Sequence, residues 1–135
     1  MLRQKIIKGL LPSLLLCAAA PVFAQGGGKA EPLRIEFKRG AKSATVKGKV
    51  RHDEQAEYVF SARKGQQITI NLVSTPANPA RFELLDDTGD QPRSVEQNIH
   101  TWSGVAPETG DFLIYVTKPD KKIASSSYSL TLKIE

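Results

Sequence analysis

The chain has a single cysteine, Cys17, and it lies within the first 24 residues. Beyond Ala24 no disulfide can form, and no thiol is available as nucleophile or metal ligand. Histidine is nearly as scarce. His52 and His100 stand alone, with no second histidine or cysteine close by, and so read as loop or strand-edge residues. No Gly-x-Ser-x-Gly elbow is present, and no serine is singled out by a partnered base. These absences leave no nucleophile, acid–base pair or cofactor site, and the expectation is a protein that is not an enzyme and needs no cofactor. Long apolar runs are missing too. The one candidate, "LLPSLLLCAAAPVFA", is broken by Pro12 and Pro21 and falls short of the ~20 residues a spanning helix requires.

That run does have a meaning. Arg3, Lys5 and Lys8 precede it and Val22-Phe23-Ala24 closes it, the basic, apolar and small-residue order of a secretory signal. Cleavage is expected after Ala24, making residues 1–24 a signal peptide and 25–32 ("QGGGKAEP") a flexible leader before a domain over 33–135. Leu16 stands where a lipoprotein signal wants a small residue, so Cys17 reads as part of the apolar run. Export without disulfides fits a bacterial periplasm, with no membrane association after cleavage.

A strong excess of one charge is also lacking. The formal charge of +5 falls to +2 once Arg3, Lys5 and Lys8 are removed, leaving 16 basic against 14 acidic side chains. Nucleic acid is therefore not an expected partner, since its binders concentrate a basic face. The distribution is uneven, however. Seven basic residues and one acid lie between Arg34 and Arg51, whereas seven acids oppose Arg93 alone between Glu83 and Asp111. A polarised domain follows, one that can orient toward a charged partner.

What the chain has in abundance is two-residue alternation. Leu33, Ile35 and Phe37 alternate with charged residues; so do Val46, Gly48 and Val50. Tyr58, Phe60 and Ala62, then Ile68, Ile70 and Leu72, Phe112, Ile114 and Val116, and Tyr128, Leu130, Leu132 and Ile134 continue the pattern. Period two buries one face of a strand and wets the other. Turn signals at Arg39-Gly40, Lys64-Gly65, 76–79, 86–90, 107–110 and 118–120 separate the strands. Seven or eight short strands at this spacing specify an all-β, antiparallel, jelly-roll-like sandwich. Within "YVFSARKGQQITINL" (58–72), Gly65 is expected at positive φ in a tight, hairpin-like connection. The segment 93–102 is the least patterned; it reads as a strand over 98–102 or as an ordered loop. Trp102, the one tryptophan, is either core filling or an anchor for a partner.

Function is then sought in the loops, where a rigid sandwich carries its binding residues. "RHDEQAE" (51–57) offers Arg51 and His52, and "TKPDKKIASSS" (117–127) offers Lys118, Lys121 and Lys122. Basic protruding loops suit an acidic cleft, because charge complementarity steers encounter and fixes register. "LLDDTGD" places Asp86, Asp87 and Asp90 around Gly89, which fits a plain Asp-capped turn and, as an alternative, a calcium loop of oxygen ligands.

The order "IEFKRGAKSATVKGKV", "YVFSARKGQQITINL", "APETGDFLIYV" and "SYSLTLKIE" resembles the small periplasmic inhibitors of g-type (goose-type) lysozyme, over 35–135. The resemblance implies a sandwich that blocks g-type lysozyme, its protein partner, by inserting loops into the substrate cleft. The pieces "YVFSARKGQ" and "PETGDF" are also similar to the pre-peptidase C-terminal domain. That likeness implies the alternative, a non-catalytic accessory module for polysaccharide or protein. The loop after Gly48 lacks the tyrosines of the inhibitor family, and the late loop carries lysines in place of arginine.

Overall fold

The structure is a computed structural model and describes residues 31–76 and 79–135. The expected signal peptide and most of the expected leader lie outside the described residues. Alternation in the sequence becomes nine strands: β1 (Leu33–Arg34), β2 (Ser43–Arg51), β3 (Gln55–Ala62), β4 (Gln67–Thr75), β5 (Arg81–Asp86), β6 (Arg93–Ile99), β7 (Thr101–Val105), β8 (Gly110–Thr117) and β9 (Ser125–Ile134). They form two sheets, one ordered β1-β3-β8-β5-β6 and the other β2-β9-β4-β7. Apart from the β5–β6 hairpin, every connection passes from one sheet to the other, as a jelly-roll-like sandwich requires.

The inward set of each strand fills the space between the sheets. Tyr58, Phe60, Ile68, Ile70, Phe82, Leu84, Ile114, Leu130 and Leu132 are at most 1% exposed, which identifies one continuous core. Phe60 stacks on Phe112 with centroids 5.4 Å apart. The hydroxyls of Tyr58 and Tyr128 share a hydrogen bond of 2.5 Å across the two sheets, their rings edge to face. Gly48 lies opposite Tyr128 in the β2–β9 register, and a Cβ there would sit 2.6 Å from Tyr128 Cζ. Glycine at 48 therefore leaves room for the phenol.

The sandwich is all-β and antiparallel as expected, except at one edge, where the two-residue β1 runs parallel to β3 with Leu33 opposite Tyr58. Two expectations are corrected. The stretch 58–72 is not a hairpin. β3 and β4 belong to different sheets, and residues 63–66 form an arch between them. Gly65 does have φ +89°, but the arch is held by the β7–β8 connection: Gly65 N–H donates to Ala106 O (2.9 Å) and Ala106 N–H to Gln66 O (2.9 Å). Alternation before and after a glycine turn is the same for an arch and a hairpin, so the sequence alone does not separate them. Finally, 93–102 holds two strands, joined at His100 where the chain changes sheet. β6 escaped notice because six of its seven residues are exposed; a strand wet on both faces shows no period.

Candidate functional site

Strand register determines where the loops lie. Arg51 at the end of β2 pairs with Ser125 at the start of β9. Gln55 at the start of β3 pairs with Thr117 at the end of β8. The connections 52–54 and 118–124 thus cross between the same two strand pairs, side by side at one end of the sandwich. The sequence proposed each loop separately; the pairing brings them together.

The first connection is short and closed. Glu54 N–H donates to Arg51 O (3.2 Å) and Arg51 N–H to Glu54 Oε2 (3.3 Å), with the guanidinium 3.9 Å from Glu54 Oε1. Arg51 and His52 remain exposed, beside an exposed Asp53. In the second connection Asp120 organises the turn, its Oδ1 accepting the Lys122 N–H at 2.8 Å. Lys121 and Lys122 are exposed, and Ile123 is half-buried.

Lys118 corrects the expectation of an exposed contact. It is fully buried, and its ammonium donates to the Asp120 carbonyl. A lysine stem is apolar enough to fill the space under a loop while its head is satisfied by a carbonyl. It supports the loop from beneath, and the exposed cations of this end are Arg51, Lys121 and Lys122, with His52 exposed beside them.

Two further segments reach the same end without having been singled out. β4 ends at Thr75, opposite Ser127, and β5 begins at Arg81, opposite Thr117. Their connection starts with a cis peptide at Thr75-Pro76 and is tied down by Ala80 N–H to Ser74 Oγ (3.0 Å) and Ser126 Oγ–H to Thr75 O (2.9 Å). Arg81 donates to Ala80 O (3.1 Å) and contacts His100 Nε2. Nineteen residues separate Arg81 from His100, and the β5–β6 pairing, with Phe82 opposite Ile99, brings them together.

The acidic turn is a turn in the structure. Asp86 is 5% exposed; its Oδ1 accepts the Thr88 amide (2.9 Å) and hydroxyl (2.6 Å), and Arg93 approaches Oδ2 at 3.5 Å. Burial pushes the Asp86 carboxyl up. The Thr88 donors and Arg93 outweigh burial and hold it below the usual carboxylate range. Asp86 is committed to Thr88 and Arg93, and no group of three or more His, Cys, Asp or Glu side chains placed to hold a metal occurs among the described residues. Trp102 is half-buried and packs against the core, over Gly104, where a Cβ would meet its ring at 2.6 Å. No helix among the described residues is long and apolar enough to cross a membrane.

No family model matches the chain. An inhibitor of g-type lysozyme from Escherichia coli (strain K12) is 27% identical over 134 residues, covering 96% of this chain and 98% of that protein. Among solved structures, the periplasmic g-type lysozyme inhibitor PliG of Aeromonas hydrophila superposes with TM-score 0.66 at 23% identity, over 77% of this chain and 96% of its own. The pre-peptidase C-terminal domain of a Bacillus anthracis collagenase superposes with TM-score 0.62 at 20% identity, over 79% and 99%. The two structural likenesses share the sandwich and so establish the fold. In sequence, and over almost its whole length, the chain is similar to an inhibitor of g-type lysozyme.

Proposed function

We propose that the protein is a periplasmic inhibitor of g-type lysozyme that acts through the end of the sandwich carrying 52–54 and 118–124. The observation that carries this reading is the register: Arg51 opposite Ser125 and Gln55 opposite Thr117 make the two loops one surface. The near full-length similarity to a g-type lysozyme inhibitor supplies the partner. A lysozyme cleft works with carboxyl groups, and Arg51, Lys121 and Lys122 present cations at the tip of a rigid domain. Loops braced by Asp120, Ser74 and Ser126 enter a cleft with little left to order, which favours affinity. The protein binds its target without chemistry of its own.

Complex formation tests the reading. The purified protein mixed with a goose-type lysozyme should co-elute with it as a one-to-one species, and a chicken-type lysozyme should elute alone. Separate elution of the goose-type enzyme contradicts the proposal.

A further inference from the structure

We infer that the outer face of the β2-β9-β4-β7 sheet is a binding surface for an acidic polysaccharide, separate from the 52–54 and 118–124 loops. Every outward position on these four strands is Ser, Thr, Asn, Gln, Val, Lys or Arg; none is acidic and none aromatic. Register arranges them in rows across the sheet, Lys47–Ser129–Val73 and Lys49–Ser127–Thr75. These two rows enclose a groove of about 540 Å³ that also touches Gly48 and Tyr128. Serines keep its floor low, and the lysines form one wall.

Lys47 and Lys49 are two residues apart on one strand, so their side chains stand ~7 Å from one another along it. Among the described residues neither forms an ion pair, whereas Lys133 has Glu135 at 3.2 Å and Arg51 has Glu54. A row of unneutralised ammonium groups along an edge strand matches a linear polymer with repeated negative charge. The rest of the face selects the kind of polymer. Serine and threonine hydroxyls can donate and accept, as sugar hydroxyls do. Val73, 54% exposed, gives a small apolar patch for the face of a sugar ring. Single-stranded nucleic acid wants aromatic platforms, and these strands present none outward. An anionic bilayer wants several large apolar side chains to bury, and a protein partner wants an exposed aromatic or arginine anchor; the groove offers Val73 alone to the first, and its one aromatic, Tyr128, is 3% exposed.

The test uses the purified protein and polygalacturonate oligomers, with uncharged dextran, poly(dT) and anionic phospholipid vesicles as comparisons, at ~0.15 M salt where exposed charges are screened beyond ~8 Å. Polygalacturonate should bind and shift the amide resonances of Lys47, Lys49, Val73, Ser127 and Ser129. The K47Q/K49Q variant should weaken binding about fivefold, the scale of two exposed ion pairs. K38Q/R39Q, the same charge change at the opposite end, should leave it within about twofold. Co-elution with goose-type lysozyme should be unchanged in K47Q/K49Q, so the two readings fail separately. The inference is overturned by absent binding, by shifts elsewhere, by equal losses in the two variants, or by poly(dT) or vesicles binding as tightly.

Discussion

Arg51, the last residue of β2, is the direct cross-strand partner of Ser125, the first residue of β9. With Gln55 opposite Thr117, that pairing sets the 52–54 turn beside the 118–124 loop and brings Arg51 to the same end as Lys121 and Lys122. Reversing the charge of Lys121 and Lys122 together should raise the protein concentration needed for half-inhibition of a goose-type lysozyme by about tenfold or more, as for close charge pairs at an interface. Both side chains are exposed, so the melting temperature should not move. An unchanged inhibition curve removes this loop from the contact surface.

Lys118 should behave in the opposite way. Its buried stem and satisfied ammonium make Lys118→Ala a stability variant, costing about 1–3 kcal/mol through lost packing and a freed Asp120 carbonyl. Urea unfolding measures it directly. A variant as stable as the parent would place Lys118 at the surface.

Gly48 and Tyr128 form a packed pair that can be tested as a unit. Gly48→Ala should destabilise by about 1–3 kcal/mol, because a methyl group cannot occupy the space of the phenol without displacing it. Tyr128→Phe in the same chain should recover part of that loss, with Tyr58→Phe added so that no hydroxyl is left buried and unpaired. Strict additivity of the three changes would show that the residues do not interact.

Acid and alkali should weaken the fold through different groups. The Thr88 donors with Arg93 hold Asp86 low against its burial, and Arg34 with Ser61 does the same for Asp111. A carboxylate with a depressed folded value stabilises above about pH 4 and loses that contribution as pH falls through the folded value. Burial raises both Tyr58 and Tyr128, so their contribution is complete below about pH 10 and declines as pH rises beyond it. Denaturant midpoints across pH should therefore fall at both limits. Asp86→Asn should flatten the acid limb, and Tyr58→Phe with Tyr128→Phe the alkaline one.

The sandwich was legible because most strands have one dry and one wet face: Tyr58, Phe60 and Ala62, or Leu130 and Leu132, announce themselves by period two. β6 did not, because Arg93 to Asn98 touch water on both sides. β1 did not read as parallel, because alternation carries no direction. The Gly65 turn was visible, but its role as an arch depends on the Ala106 backbone, 41 residues away. For the site, the polar loop residues Arg51, His52, Lys121 and Lys122 could be read, whereas their nearness is a property of register. Lys118 was misjudged because a lysine in a loop looks the same in sequence whether its head reaches water or a carbonyl. Charge clustering was similarly partial. The basic excess between Arg34 and Arg51 was evident, yet the acid-free face that β2 shares with β9 and β4 exists only after pairing.

The measurement that bears most directly on the central claim is a lysis assay of bacterial cell walls by a goose-type lysozyme, titrated with the purified protein. Lysis should fall progressively to completion near equimolar protein, with chicken-type lysozyme unaffected. Undiminished lysis at a large molar excess would contradict it.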